Sequence, residues 1–311
     1  MSEASLIYGP VPSRRLGLSL GIDLVPYKTC TYNCIYCQLG RTTTKTMRRR
    51  IYLPPKRILR ELKESLKKNK RVDFITFSGS GEPTLNSKIG YLIRAIKKFT
   101  KIPVAVITNG ALLYKPSVQQ DLLLADVVLP TLTTANLETF KRIHCGHPLI
   151  TLKKTISGLI EFRKKYKGEI WLEIMLIKGF NDNKEELEGL KKIISQIKPE
   201  RVQLNTVVRP PSDDRALPLL KEELLKIKKY LGNECEIIVD FKEKRGRTTK
   251  ERKETLILNL LARRPVTLND ITNVLRLNRN EAVKILAHLI ADKKVRLVNH
   301  QGIDYYRIKN Y

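Results

Sequence analysis

Between Leu18 and Asp240, short β-branched apolar runs alternate with longer stretches in which apolar positions recur every three to four residues. Such alternation predicts repeated strand–helix units and a mostly parallel sheet. Strands are expected at 18–25, 72–77, 103–107, 126–132, 170–177, 201–206 and 236–239, and helices at 55–69, 86–100, 151–167, 184–197 and 218–231. Six or seven units fit. Counting by twos places Asp23 with Ser19, Thr76 with Ser78, Glu173 with Trp171, and Gln203 with Asn205 on shared strand faces. A closed eight-stranded barrel fills its lumen mainly with branched apolar side chains. A polar lumen points instead to an α/β fold of the partial (β/α)6, TIM-like barrel type, partly open and holding a polar ligand. An open doubly wound sheet is the competing arrangement.

The segment KEKRGRTTK (242–250) is basic and aperiodic and reads as a linker. Beyond it, amphipathic helices are expected at 251–264, 268–277 and 278–294, followed by a hairpin over 295–308 that turns at Gln301-Gly302. Three helices and a β-wing resemble a winged helix-turn-helix. The expected organisation is thus a barrel domain over 1–240, a linker over 241–250 and a winged-helix-like domain over 251–311. Residues 241–311 hold 17 Lys and Arg against seven Asp and Glu. That surplus suits nucleic-acid contact, but winged helices also dock proteins, and both uses stay open.

With 311 residues, 42% of them hydrophobic, and a net charge of +28, disorder and fibrous structure are excluded. No stretch approaches the roughly 18 to 20 apolar residues of a membrane span, and MSEASLIYGP has no leader-like apolar region. A cytoplasmic protein without membrane contact is expected. The charge favours polyanionic partners, against the plainer reading of a lysine-rich solvated surface with basic runs such as 67–70 and 97–101 at helix ends.

Three of five cysteines, Cys30, Cys34 and Cys37, form a C-x3-C-x2-C spacing just after the first expected strand. Three soft thiolates so close together suit three corners of a cubane iron–sulfur cluster, leaving one iron open to a chelating ligand. A structural zinc site competes. It would need a fourth ligand from Cys145, Cys235 or His144, His147, His288 and His300, which lie far along the chain. The local His144-Cys145-Gly146-His147 group is read as coincidence.

This constellation, with Tyr36 just before the last cysteine, resembles the radical S-adenosylmethionine superfamily. Ser78-Gly79-Ser80-Gly81-Glu82-Pro83 resembles that superfamily's glycine-rich methionine-binding segment, and Thr108-Asn109-Gly110 resembles its TNG element. The opening GPVPSRRLG (9–17), with Trp171-Leu172-Glu173 and Gln203-Leu204-Asn205-Thr206, is similar to a bacterial and archaeal group distantly like the wyosine-forming tRNA enzymes. Thr131-Leu132-Thr133 stands where the family tends to have a serine-leucine-aspartate element, and the extra cysteines of the archaeal wyosine enzymes are missing. A second cluster and that particular reaction are therefore not expected.

The resemblance implies a [4Fe-4S] cluster on Cys30, Cys34 and Cys37 and bound S-adenosylmethionine, cleaved reductively to a 5'-deoxyadenosyl radical that takes hydrogen from a substrate. It implies cofactor contacts by Tyr36 near the adenine, by Ser80, Gly81 and Glu82 at the methionine ammonium, by Thr108 and Asn109, and by Thr131 at the ribose. Glu173, Gln203 and Asn205 are the lumen-face candidates for substrate or cofactor contacts, against a satisfied polar network. An electron donor such as flavodoxin or ferredoxin is implied as well. Arg14 and Arg15 are candidates to clamp a phosphate or carboxylate, and the Arg48-Arg49-Arg50 run to meet a nucleic-acid backbone at the barrel mouth. RNA, with tRNA foremost, leads as substrate. A protein or peptide target, as for an activase or maturase, and a non-enzymatic iron–sulfur DNA-binding regulator are the alternatives. The tail is read as an appendage, so truncation after Asp240 is expected to leave S-adenosylmethionine cleavage intact and to weaken macromolecule binding.

Overall fold

A computed structural model describes residues 5–69, 71–232, 234–238, 250–275, 277 and 279–309. The linker expected at 241–250, except Lys250, lies outside them. Strands β1 (Ile7–Ser13), β2 (Gly17–Ile22), β5 (Phe74–Phe77), β6 (Val104–Thr108), β7 (Val127–Leu132), β8 (Glu169–Leu176), β9 (Arg201–Thr206) and β10 (Cys235–Ile237) form one sheet in that order. A small pair, β3 (Thr29–Cys30) and β4 (Thr44–Lys45), braces the loop after β2. In the main sheet β1 runs antiparallel to β2, and every later pairing is parallel. The order never reverses. Right-handed crossovers then carry the helices that pack on the sheet to one face, unlike a doubly wound sheet, whose order reverses at a switch point. The short helix Leu137–His144 packs instead against the cysteine loop.

The crossover helices are α1 (Pro55–Lys68), α2 (Ile89–Phe99), α3 (Pro116–Leu122), α4 (Leu137–His144), α5 (Leu152–Lys165), α6 (Lys184–Ile197) and α7 (Lys221–Leu231). Their starts are set locally: the Thr151 and Asn183 side chains accept the backbone N–H groups of Lys154 and Glu186, capping α5 and α6. Their apolar stripes do the rest. Ile58 and Leu62 of α1 and Leu92, Ile93 and Ile96 of α2 are buried with Ile75, Phe77, Val104 and Val106 of the sheet. Each such burial stabilises the fold by about 1.5–3 kcal/mol.

The opposite sheet face is polar at Ser19, Thr76 and Glu173, which counting by twos selects, and at Thr131, which it does not, while the selected Trp171 is apolar packing. Ser19 on β2 and Thr76 on β5 share a 2.6 Å hydrogen bond, and Thr131 on β7 lies beside Glu173 on β8. Leu16, Ala105, Val127, Leu129 and Trp171 form a separate apolar plug on this side of the sheet.

The C-terminal part comprises α8 (Lys250–Leu261), β11 (Val266–Thr267), α9 (Leu268–Leu275), α10 (Arg279–Ala291), β12 (Val295–His300) and β13 (Ile303–Ile308), with an antiparallel sheet in the order β11-β13-β12. The β12–β13 turn sits where the sequence places it. Gln301 and Gly302 both have positive φ, 55° and 73°, as a two-residue hairpin turn of the right twist demands. This part has its own apolar cluster, including Ile257, Leu260, Val266, Ile271, Leu286 and Leu289. Val11 of β1 belongs to that cluster, so the two parts are joined through apolar packing.

Besides the two-residue strands β3 and β4, three elements of the first part escape the sequence pattern. Strand β1 contains Gly9, Pro10 and Pro12, which read as loop punctuation but are tolerated on an edge strand. Helices α3 and α4 span only seven and eight residues, too short for a periodic stripe to stand out.

Candidate active site

Cys30, Cys34 and Cys37 all line a single cavity of about 900 Å³. Tyr36, Gly81, Glu82, Thr108, Asn109 and Thr131 line it too. Residues separated by a hundred positions meet because parallel strands end side by side and their following loops share one rim.

The cysteine loop is held from beneath. His144, buried at the end of α4, has Nδ1 3.2 Å from Cys34 Sγ and Nε2 2.8 Å from Thr133 Oγ1. Burial pushes this imidazole down to about 3, so it is neutral. The neighbouring backbone is tied as well, with Asn33 N–H and Ile35 N–H donating to the His144 and Ile143 carbonyls. No sequence signal points to this contact between His144 and Cys34; only the local His144-Cys145-Gly146-His147 group stands out there, as coincidence. Cys145 and His147 do not join it: Cys145 is exposed, in a left-handed conformation, and His147 Nδ1 accepts from Leu149 N–H. Cys235 is buried on β10.

Lys28 places Nζ 3.0 Å from Cys37 Sγ, and Asn109 Nδ2 lies 3.4 Å from Cys30 Sγ while donating to Thr31 Oγ1 at 2.8 Å. Burial pushes the Cys30 thiol up to about 11, with the Glu82 carboxylate adding to it, and pushes Cys34 well above the thiol range. Without a bound cation these two thiols are neutral, and a thiolate at either position would need a metal to hold it. Among the described residues no three His, Cys, Asp or Glu groups converge to hold a single metal ion. A cubane asks for something different, each thiolate on its own iron, and this all-thiol donor set beside one lysine fits it.

Glu82 is committed to the protein. Its Oε1 accepts from Thr84 N, Thr84 Oγ1 and Thr108 Oγ1 at 3.1, 2.6 and 2.7 Å, and Oε2 from Asn109 N at 2.8 Å. Burial still leaves its carboxyl above the usual range. The carboxylate thus joins the loop after β5 to the loop after β6, with little acceptor capacity left for a ligand. The glycines beside it also serve the fold: a Cβ on Gly81 would stand 2.0 Å from the Thr29 carbonyl, and one on Gly79 2.2 Å from Asp23 Oδ1. Close approach is needed between this loop and the loop after β2, beside the approach to a ligand that the sequence suggested.

Two candidates stand outside the cavity lining. Ser80 bonds Asp23 through its backbone N–H and hydroxyl at 2.6 and 2.9 Å. Glu173 accepts from Arg15 Nη1 at 3.0 Å, Asn205 Nδ2 at 2.9 Å and Thr131 Oγ1 at 2.6 Å. Burial alone would raise its carboxyl, but Arg15 and the two hydrogen bonds hold it below the usual range. Gln203 turns to Glu236 at 2.6 Å.

Arginines depart from their expected roles in both directions. Arg49 is spent on structure, bonding the carbonyls of Thr84 and Asn86 and, at 2.5 Å, Asp121, so only its neighbours Arg48 and Arg50 are exposed for a backbone. Arg14 and Arg15 line the cavity together with Arg209, Arg263 and Arg264. Arg263, from the turn after α8, pairs with Asp23 and donates to Ser80 Oγ at 2.9 Å. Tyr305 donates to the Val208 carbonyl at 2.6 Å. The C-terminal part therefore walls the same cavity as the cysteines, and the appendage pictured from sequence is not what the contacts describe. Lys28, Asp23, Arg209 and the C-terminal arginines carry no motif; their roles arise from packing of distant segments.

Residues 24–190 match the Radical SAM superfamily, and the chain belongs to it. Accordingly its cofactors are a [4Fe-4S] cluster and S-adenosylmethionine. Within that class it is similar to the UPF0026 protein of Helicobacter pylori strain 26695, at 32% identity over 308 residues covering 97% of both chains. It is also 46% identical over 306 residues to a Brachyspira hyodysenteriae protein named GTPase Obg, covering 97% of this chain but only 45% of that one. This chain has no Gly-Lys pair from which a phosphate-binding P-loop is built. Among solved structures, a radical SAM methyltransferase from Sphaerobacter thermophilus shares the fold with a TM-score of 0.55 and 15% identity, over 70% of this chain and 65% of that one. Among the described residues no helix is long and apolar enough to cross a membrane.

Proposed function

We propose that this chain is a radical SAM enzyme acting on RNA, with tRNA foremost, and that Cys30, Cys34 and Cys37 hold its cluster. One observation carries the reading: the three thiols open onto the same cavity as Gly81, Thr108, Asn109 and Thr131. Cluster and S-adenosylmethionine together supply one-electron reductive cleavage to a 5'-deoxyadenosyl radical able to take a hydrogen atom. The chain's own work is to position and exclude. Lys28 offsets thiolate charge, His144 and the 31–35 backbone fix the loop, and Glu82 fixes the two loops beside it. Tyr36 and Thr131 offer an aromatic face and a hydroxyl to the adenosyl part, and the Gly81 segment and Asn109 offer backbone and amide groups to the methionyl part.

The unreversed strand order supports a partial (β/α)6 barrel, and the α-β-α-α-β-β order of 250–308 supports a winged-helix reading. The net charge of +28, with Arg41, Arg48 and Arg50 exposed past the cluster loop and Arg50 stacked 4.7 Å over Tyr52, supports a nucleic-acid substrate. A small electron donor such as flavodoxin or ferredoxin would complete the system.

The test is the yield of 5'-deoxyadenosine from anaerobically reconstituted, reduced protein, with and without tRNA. Expected is product that disappears in Cys34→Ala and rises with tRNA. Retention on tRNA should collapse between low and moderate salt, as counterion release requires; salt-insensitive retention would point to a protein substrate. A cluster-loaded protein that yields no product with tRNA would count against the enzyme reading.

A further inference from the structure

The cavity wall holds a cluster of arginines that this chemistry does not use. Arg14 and Arg15 come from the β1–β2 turn, Arg209 from the segment after β9, and Arg263 and Arg264 from the turn after α8, so both parts of the chain contribute. Three are matched: Arg15 with Glu173 at 3.0 Å, Arg209 with Asp270 at 3.6 Å, and Arg263 with Asp23. Among the described residues Arg14 hydrogen-bonds only neutral acceptors, Asn205 Oδ1 at 3.2 Å and the Ile238 carbonyl at 2.9 Å. Arg264 has no hydrogen bond or ion pair among the described residues. Two guanidinium groups thus face the cavity without a direct ion-pair partner among the described residues; the acidic groups that act on them from further off, Asp270 on both and Glu173 on Arg14, are already paired with Arg209 and Arg15. Arg209 adds a buried Nε with no acceptor.

Such a surplus is costly in a partly desolvated site unless a ligand anion completes it. Burial and the nearby Arg209 pull Arg14 down to about 10 and Arg264 to about 9, the direction expected of crowded like charges. Guanidinium forks converging from three segments match the tetrahedral oxygens of phosphate, which accept from several directions at once. We propose that Arg14, Arg209 and Arg264 form a phosphate-binding subsite for the substrate, complete only with the C-terminal part docked. Its role in positioning a substrate rests on the radical SAM reading; the binding of phosphate does not. An RNA backbone and a phosphorylated small molecule present the same group.

The experiment uses the full chain in buffers of matched ionic strength. Uridine 5'-monophosphate, a short single-stranded RNA and unphosphorylated uridine are titrated by calorimetry, and thermal unfolding is followed with each. Expected is binding by the phosphorylated probes and not by uridine, with a rise in Tm through linkage. Arg264→Gln and Arg14→Gln should each weaken phosphate binding roughly tenfold to a hundredfold. Lys192→Gln, an exposed position on α6, should not. Without ligand, Arg264→Gln should unfold no lower than the parent chain, since it removes repulsion; this also checks that it folds. Tighter binding of RNA than of the mononucleotide assigns the phosphate to nucleic acid, and the reverse to a small molecule; both support the subsite. Phosphate binding that is absent, or undiminished in both folded variants, overturns it. The titration is independent of 5'-deoxyadenosine yield, so failure of one reading leaves the other standing or falling on its own result.

Discussion

Glu173 shows how a polar residue inside a sheet is kept charged. Its three hydrogen bonds come from three different segments, and Arg15 supplies the opposite charge, so the carboxyl lies below the usual range despite burial. Glu173→Gln leaves the half-buried Arg15 without its partner, and a loss of about 2 kcal/mol at pH 7 is expected from urea unfolding. The sign of the pH dependence follows from the depressed value. The stabilisation is fully present above the unfolded carboxyl range and is lost as pH falls through the folded value. The gap between parent and variant should therefore close in acid; a gap as wide at pH 3 as at pH 7 would contradict the ion pair. His144 belongs to the same scale, as a neutral ring that braces Cys34.

Among elements, the loops after β2, β5 and β6 act as one body. Glu82 ties two of them, and the third is joined by Lys28 N–H donating to the Ser80 carbonyl and Glu82 N–H to the Thr29 carbonyl. Gly81→Ala would drive a methyl into the Thr29 carbonyl and shift the cysteine loop, at a cost of about 1–3 kcal/mol. Lower iron content after reconstitution and a lower Tm are expected together. Parent-like iron in that variant would mean the loops are not coupled. The strands behind these loops were legible from β-branched runs and the crossover helices from 3.6-residue periodicity, whereas β1, α3 and α4 were hidden by proline or by shortness.

At the scale of the whole molecule, the C-terminal part is packed on β1 through Val11 and latched to the cavity by Arg263 and Tyr305. Removing residues 239–311 would expose that apolar surface and leave Asp23 without Arg263. A lower Tm and a reduced 5'-deoxyadenosine yield are expected of the truncated chain, in contrast to an appendage, whose loss would spare both. Parent-like yield would show that the cavity closes without this part.

Local patterns in the sequence determined the longer parallel strands and crossover helices, the hairpin at Gln301-Gly302, and the thiol spacing that calls for an iron–sulfur cluster, because periodicity and short motifs act over neighbouring residues. Tertiary structure alone decided what surrounds them. That Glu82 is spent on loops, that His144 lies under Cys34, that Arg49 is structural while Arg14 and Arg264 share a cavity, each depends on segments brought together over long separations. A sequence states which side chains are charged; only the folded chain decides which charges find partners and which two are left facing the cavity.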